Sequence, residues 1–251
     1  DHRDLHSFPT RRSSDLGYQA EYVKISDYSL AVPQVFRAND SGVTSALSLT
    51  LSFDVRDNRI YPRKGDYATV TQEISGTKLG GDNDFYRVNF RNSFYQPIYK
   101  SIIFQQFTRV GWIKSLNDNP VPLYERFITG GANSLRGYNP NAVGPMVRIP
   151  SSASGPVQNF VYGGDKLLLF IQEIEFPIYE KGGLRAVAFF DAGNAFAENQ
   201  NFNVANLRLD YGFGIRWNSP MGPLRFEWGI PIQRRPGEDS VVFNFTIGNY
   251  F

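Results

Sequence analysis

Between Ala46 and Val55 the chain alternates, with Leu47, Leu49, Leu51, Phe53 and Val55 on one parity and Ser48, Thr50, Ser52 and Asp54 on the other. A period of two puts these sets on opposite faces of a strand. The pattern returns later, where Leu209, Tyr211, Phe213, Ile215 and Trp217 oppose Arg208, Asp210, Gly212, Gly214 and Arg216. Leu224, Phe226, Trp228 and Ile230 then oppose Arg225 and Glu227, and Phe243, Phe245 and Ile247 oppose Asn244 and Thr246. The breaks between these strands, Asn218-Ser219-Pro220-Met221-Gly222 and Arg234 to Asp239, carry turn residues. Less regular alternation predicts strands near 17–29, 66–77, 84–97, 101–114, 165–178 and 183–193, with 101–114 ambiguous in parity. The total is about ten strands and no helix.

Most of these segments run about 10–13 residues, longer than an ordinary globular strand and close to what a tilted strand needs to cross a bilayer. No apolar run reaches the roughly 18 residues of a transmembrane helix, so any membrane crossing falls to strands. Periodicity alone allows the apolar faces to point inward, as in a soluble sandwich or lipocalin-like barrel, or outward into lipid. Tyr211, Phe213, Trp217, Phe226 and Trp228 crowd those faces as aromatic girdles do, which favours lipid.

Composition agrees with a polar-lined barrel: 21 Phe, 14 Tyr and 23 Gly accompany a mean hydropathy of −0.34. The 26 basic and 24 acidic residues are intermixed, without the basic stripe of a nucleic-acid binder. There is no cysteine, which removes disulfides and thiol nucleophiles. Both histidines, His2 and His6, fall within residues 1–16. That stretch, DHRDLHSFPTRRSSDL, shows neither strand alternation nor a helical stripe, and Ser7 to Leu16 resembles a translated sequencing adapter. It is set aside as a non-native tail, leaving 17–251 as one domain.

With those histidines set aside, neither a His-based triad nor an HExxH zinc site remains, and no G-x-S-x-G or Walker A pattern is present. Glu173 and Glu175, two apart on one strand face, read as a wall of an aqueous lumen rather than an acid–base pair. No catalytic residue, metal site or cofactor is expected.

Residues 115–163 interrupt the ladder with a Gly-, Pro-, Asn- and Ser-rich segment far longer than a hairpin needs. It contains Phe127-Ile128-Thr129-Gly130-Gly131-Ala132-Asn133-Ser134-Leu135-Arg136-Gly137-Tyr138. Leu135-Arg136-Gly137-Tyr138 resembles the V/I-R-G-F/Y motif of the BamA superfamily, carried on an extracellular loop that folds back into the barrel lumen. Asn139-Pro140-Asn141 and Val143-Gly144-Pro145 continue the likeness, as do Phe189 to Phe196 and Trp217 to Phe226. The last strand, Phe243 to Phe251, is also similar to the family's, alternating and ending on an aromatic residue.

The resemblance covers 17–251 and implies an all-β, antiparallel transmembrane barrel. The chain would be the C-terminal portion, about ten strands of a sixteen-stranded barrel that periplasmic domains precede. Its implied place is the bacterial outer membrane, and its implied work is to insert outer-membrane proteins by templating client strands at a lateral seam. Partners would be unfolded outer-membrane clients, outer-membrane lipid and accessory lipoproteins, with no nucleic acid. Alternatives are a TamA-like or two-partner secretion translocation pore, or a passive channel.

For site residues, the resemblance marks Leu135, Arg136, Gly137 and Tyr138 as a loop lock. A guanidinium inside a barrel requires carboxylate partners, and Glu173, Glu175 and Asp191 can all face the lumen. The family likeness selects Glu175 and Asp191. The strand signal and gate would be Phe243, Phe245, Ile247, Gly248 and Phe251, with Gly248 either allowing the last strand to bend or facing a crowded neighbour.

Overall fold

The computed structural model describes residues 11–25, 41–150, 157–220 and 222–248. Ten strands form one antiparallel sheet in chain order: β1 (Arg11–Lys24), β2 (Ser41–Asp54), β3 (Gly65–Ser75), β4 (Phe85–Tyr99), β5 (Ile102–Ser115), β8 (Lys166–Tyr179), β9 (Leu184–Phe196), β10 (Arg208–Ser219), β11 (Gly222–Pro231) and β12 (Val242–Ile247). The intervening β6 (Met146–Pro150) and β7 (Val157–Val161) make a separate hairpin in the connection from β5 to β8. β5 and β8 still pair directly, from Ile103 against Glu175 to Trp112 against Lys166. Among the described residues, β1 and β12 are the sheet's two edges.

Exposure along the strands decides which way the faces point. Tyr211, Phe213, Ile215 and Trp217 are 39–57% exposed, whereas Glu173, Asp191, Asp210 and Glu227 are at most 1% exposed. Apolar side chains point out and charged ones point in, the reverse of a soluble sandwich, so that alternative is corrected. The outer aromatics also pair across strands: Phe213 stacks on Trp228, and Trp228 meets Phe243 with ring centres 5.2 Å apart.

Residues 11–16, set aside in the sequence, pair with β2 from Arg11 against Asp54 to Leu16 against Leu49. An edge strand takes its order from main-chain bonding to its neighbour, which needs no apolar stripe, and nearly all of β1 is exposed. Positions 26–29 of the predicted first strand lie outside the described residues.

The ambiguous parity of 101–114 has a packing cause. Inward-facing Ile113 of β5 joins Phe85, Val121, Phe127, Leu167 and Ala195 in an apolar cluster, so this strand is apolar on both faces where the loop covers it. The described parts of the loop are themselves structured, beyond the open segment that 115–163 suggests. Besides β6 and β7 it makes antiparallel bridges between Phe127 and Gly164 and between Thr129 and Val143. Its Leu135, Tyr138 and Val143 pack on Leu169 and Ile171 of β8. Each such large apolar side chain contributes about 1.5–3 kcal/mol on burial, which holds the loop inside.

Candidate functional site

The loop tip is a tight coil. The Gly131 N–H, at φ 96°, donates to the carbonyls of Leu135 (3.1 Å) and Tyr138 (2.9 Å), and the Tyr138 N–H donates to Leu135 O (3.1 Å). Leu135 and Tyr138 meet the apolar half of β8, whose inner parity runs Leu167, Leu169, Ile171 and then Glu173, Glu175. The Tyr138 hydroxyl donates to the Leu209 carbonyl at 2.9 Å, and burial pushes this phenol up, so it stays a donor.

Arg136, 0% exposed, reaches past the apolar half into the acidic one. Its Nε and Nη2 donate to Asp191 Oδ2 and Oδ1 at 2.9 and 2.7 Å, and its main-chain N–H donates to the same Oδ2 at 3.2 Å. Nη1 donates to Glu173 Oε1 at 2.5 Å and Glu227 Oε1 at 3.2 Å. The guanidinium plane covers Phe189, with Cζ 3.5 Å from the ring centre. Gly212 of β10 leaves room for that ring: a Cβ there would overlap both Phe189 and the Trp228 carbonyl.

Two further arginines complete the cluster. Arg216 donates to Glu173 through Nη1 at 2.9 Å and Nη2 at 2.7 Å, and to Glu227 Oε1 through Nη2 at 2.8 Å. Arg225 donates through Nη2 to Glu227 Oε2 at 2.8 Å and to the Ala132 carbonyl at 3.0 Å, gripping the loop a second time. Arg136, Arg216 and Arg225 thus interlock with Glu173, Asp191 and Glu227, and Asp210, opposite Asp191 in the β9–β10 register, adds a carboxyl group to the wall. Buried charges are tolerated when paired and hydrogen-bonded in this manner.

The structure brings Arg136 and Asp191 together but places Glu175 elsewhere. Glu175 accepts from Gln105 Nε2 at 3.1 Å and Arg216 Nη1 at 3.4 Å, and pairs with Arg185. Two strand residues amount to about 7 Å, so the carboxylate the loop tip reaches on β8 is Glu173. Sequence reasoning also passed over Glu227, Arg216 and Arg225 as partners, although all three stand on the polar parity of their strands.

Phe243, Phe245 and Ile247 lie on the outer face of β12, 51–69% exposed. Gly248 follows β12 with φ 112°, a conformation that suits glycine, and a Cβ there would meet nothing within 4 Å among the described residues. Phe251 lies outside the described residues.

A family model, the Omp85 superfamily domain, matches residues 5–251. The outer membrane protein assembly factor BamA of Nitratidesulfovibrio vulgaris is 29% identical over 239 residues, covering 94% of this chain and 29% of that protein. A SAM50-like protein of Schizosaccharomyces pombe is 32% identical over 244 residues, covering 92% of this chain and 49% of that protein. The chain thus spans less than half the length of either relative. Among solved structures, BamA from Haemophilus ducreyi lacking POTRA domains 1–3 superposes with a TM-score of 0.70 at 22% identity, over 84% of this chain and 43% of that one.

Proposed function

The chain belongs to the Omp85 superfamily and is an outer-membrane barrel segment, and from that premise we propose that the protein carrying it inserts and assembles other β-barrel proteins in the outer membrane. The observation that carries this reading is the fully buried Arg136, held by three carboxylates from three different strands. Such a lock performs no bond chemistry. It fixes the relative positions of β8, β9 and β11 on the inner face and so sets the shape of the wall next to the last strand.

The templating role follows from edge chemistry. β12 pairs with β11 over six positions, from Leu224 against Ile247 to Gly229 against Val242, and has no second neighbour among the described residues. An unpaired strand edge offers N–H and C=O groups to an incoming strand, and apolar Phe243, Phe245 and Ile247 would pass it to lipid on the outer face. Unfolded outer-membrane proteins are the clients in this reading. A passive channel fits less well, because the loop tip occupies the inner face with close-packed Leu135, Arg136 and Tyr138.

The test is replacement of the native protein in its source cells by the Arg136→Ala variant, with client barrels scored as folded or unfolded by heat-modifiable gel mobility. Folded clients should fall while the variant's own amount in the outer membrane holds. Normal client levels would remove the assembly reading. Glu227→Gln, which weakens the lock without emptying it, serves if Arg136→Ala does not accumulate.

A further inference from the structure

We infer that Asn244 ties the last described strand to the locked loop, so that release of the loop tip and parting of β12 from β11 are one coupled event. The loop backbone crosses the inner face of β11 at Gly229, where a Cβ would overlap the carbonyl group of Arg136. Seated in that slot, the Arg136 carbonyl reaches across β11 and accepts a hydrogen bond from Asn244 Nδ2 at 3.0 Å. Asn244 is buried and stands opposite Glu227 in the β11–β12 register. Glu227 is also the β11 acceptor of Arg136 Nη1. One loop residue therefore holds both strands, β11 through its side chain and β12 through its backbone oxygen.

Among the described residues, the one side-chain hydrogen bond on the inner face of β12 is that of Asn244. The strand's inward side chains are Val242, Asn244 and Thr246, and the buried Thr246 hydroxyl has no hydrogen-bond partner among the described residues. A buried amide that loses its acceptor carries the full desolvation penalty, so Asn244 resists any movement of β12 that leaves Arg136 behind. Conversely, if the loop tip lifts away, Asn244 loses that acceptor, and β12 keeps only its six-position pairing and the outer-face contacts of Phe243 and Phe245 with β11 among the described residues. Each motion lowers the cost of the other, which is the meaning of coupling between two sites.

The importance of this tie rests on the seam proposed above. The tie itself is measured without a client, so its failure and the failure of the assembly reading are separate results.

The experiment is hydrogen exchange on the full-length protein in lipid nanodiscs, comparing wild type, Asn244→Leu, Gly229→Ala and the double variant. Asn244→Leu removes the donor at similar volume, and Gly229→Ala drives the Arg136 carbonyl out of its slot. Each single variant should raise exchange about fivefold, the effect of one lost hydrogen bond, in both the β12 segment and the loop tip. The β3–β4 pair should not change, and the double variant should exceed either single one little, because both remove the same link. Faster exchange in β12 alone, or single effects that multiply in the double variant, would overturn the coupling. Asn244→Ala replaces Asn244→Leu if the latter does not fold.

Discussion

Arg136 holds Asp191 by two parallel donors, Nε to Oδ2 at 2.9 Å and Nη2 to Oδ1 at 2.7 Å, across 55 residues of sequence. Removing one partner from a buried pair costs about 3–5 kcal/mol, since the other charge remains in place. Arg136→Ala should lose stability on that scale, read from the urea unfolding midpoint of the folded protein in detergent. Arg136→Lys keeps the charge but loses the fork and the plane over Phe189, and should fall between the two. A lysine variant as stable as wild type would show that charge alone matters.

The β8 acids should separate in the same assay. Glu173 accepts from both Arg136 and Arg216 and is 1% exposed, whereas Glu175 takes its contacts from Gln105, Arg185 and Arg216. Glu173→Gln is expected to cost more than Glu175→Gln, by at least about 1 kcal/mol, the scale of one charge-assisted hydrogen bond. The reverse order would restore the assignment that family likeness suggested.

Gly212→Ala would drive a Cβ into the Phe189 ring and the Trp228 carbonyl. Overpacking of this kind costs about 1–3 kcal/mol, and here it should also loosen the ring beneath Arg136. The check is the unfolding midpoint together with hydrogen exchange at the loop tip. Unchanged exchange at the tip would mean that Phe189 does not support the guanidinium.

On the outer face, Phe213 lies mid-strand in β10, 57% exposed and stacked on Trp228. Phe213→Arg places a charge against lipid and should cost about 2–4 kcal/mol in a bilayer. Phe213→Leu should cost far less in the same bilayer. Equal stability of the arginine variant would place this face in water.

The strands were readable in the sequence because the inner and outer faces differ in polarity, and Leu209 to Trp217 shows this most clearly. The lock was readable in part. Arg136 and Asp191 sit in motifs, but the choice between Glu173 and Glu175 depends on how deep the loop descends, and local pattern carries no depth. Glu227 and Arg225 had the correct parity, yet nothing local separates a buried network residue from a solvated one. Residues 11–16, set aside for want of alternation, pair all the same, because edge pairing in β1 is a main-chain matter. Asn244 and Gly229 act through the Arg136 backbone carbonyl, a contact that leaves no mark in the side-chain pattern.

Arg136 and Asp191 act as one unit that pins the loop to the inner wall. The decisive measurement is a double-mutant cycle of Arg136→Met and Asp191→Leu, by urea unfolding of the folded protein in lipid. Strong coupling is expected, with the double variant at least about 2 kcal/mol more stable than the sum of the single effects implies. Single effects that add to within about 0.5 kcal/mol would contradict it, because residues that do not interact behave that way.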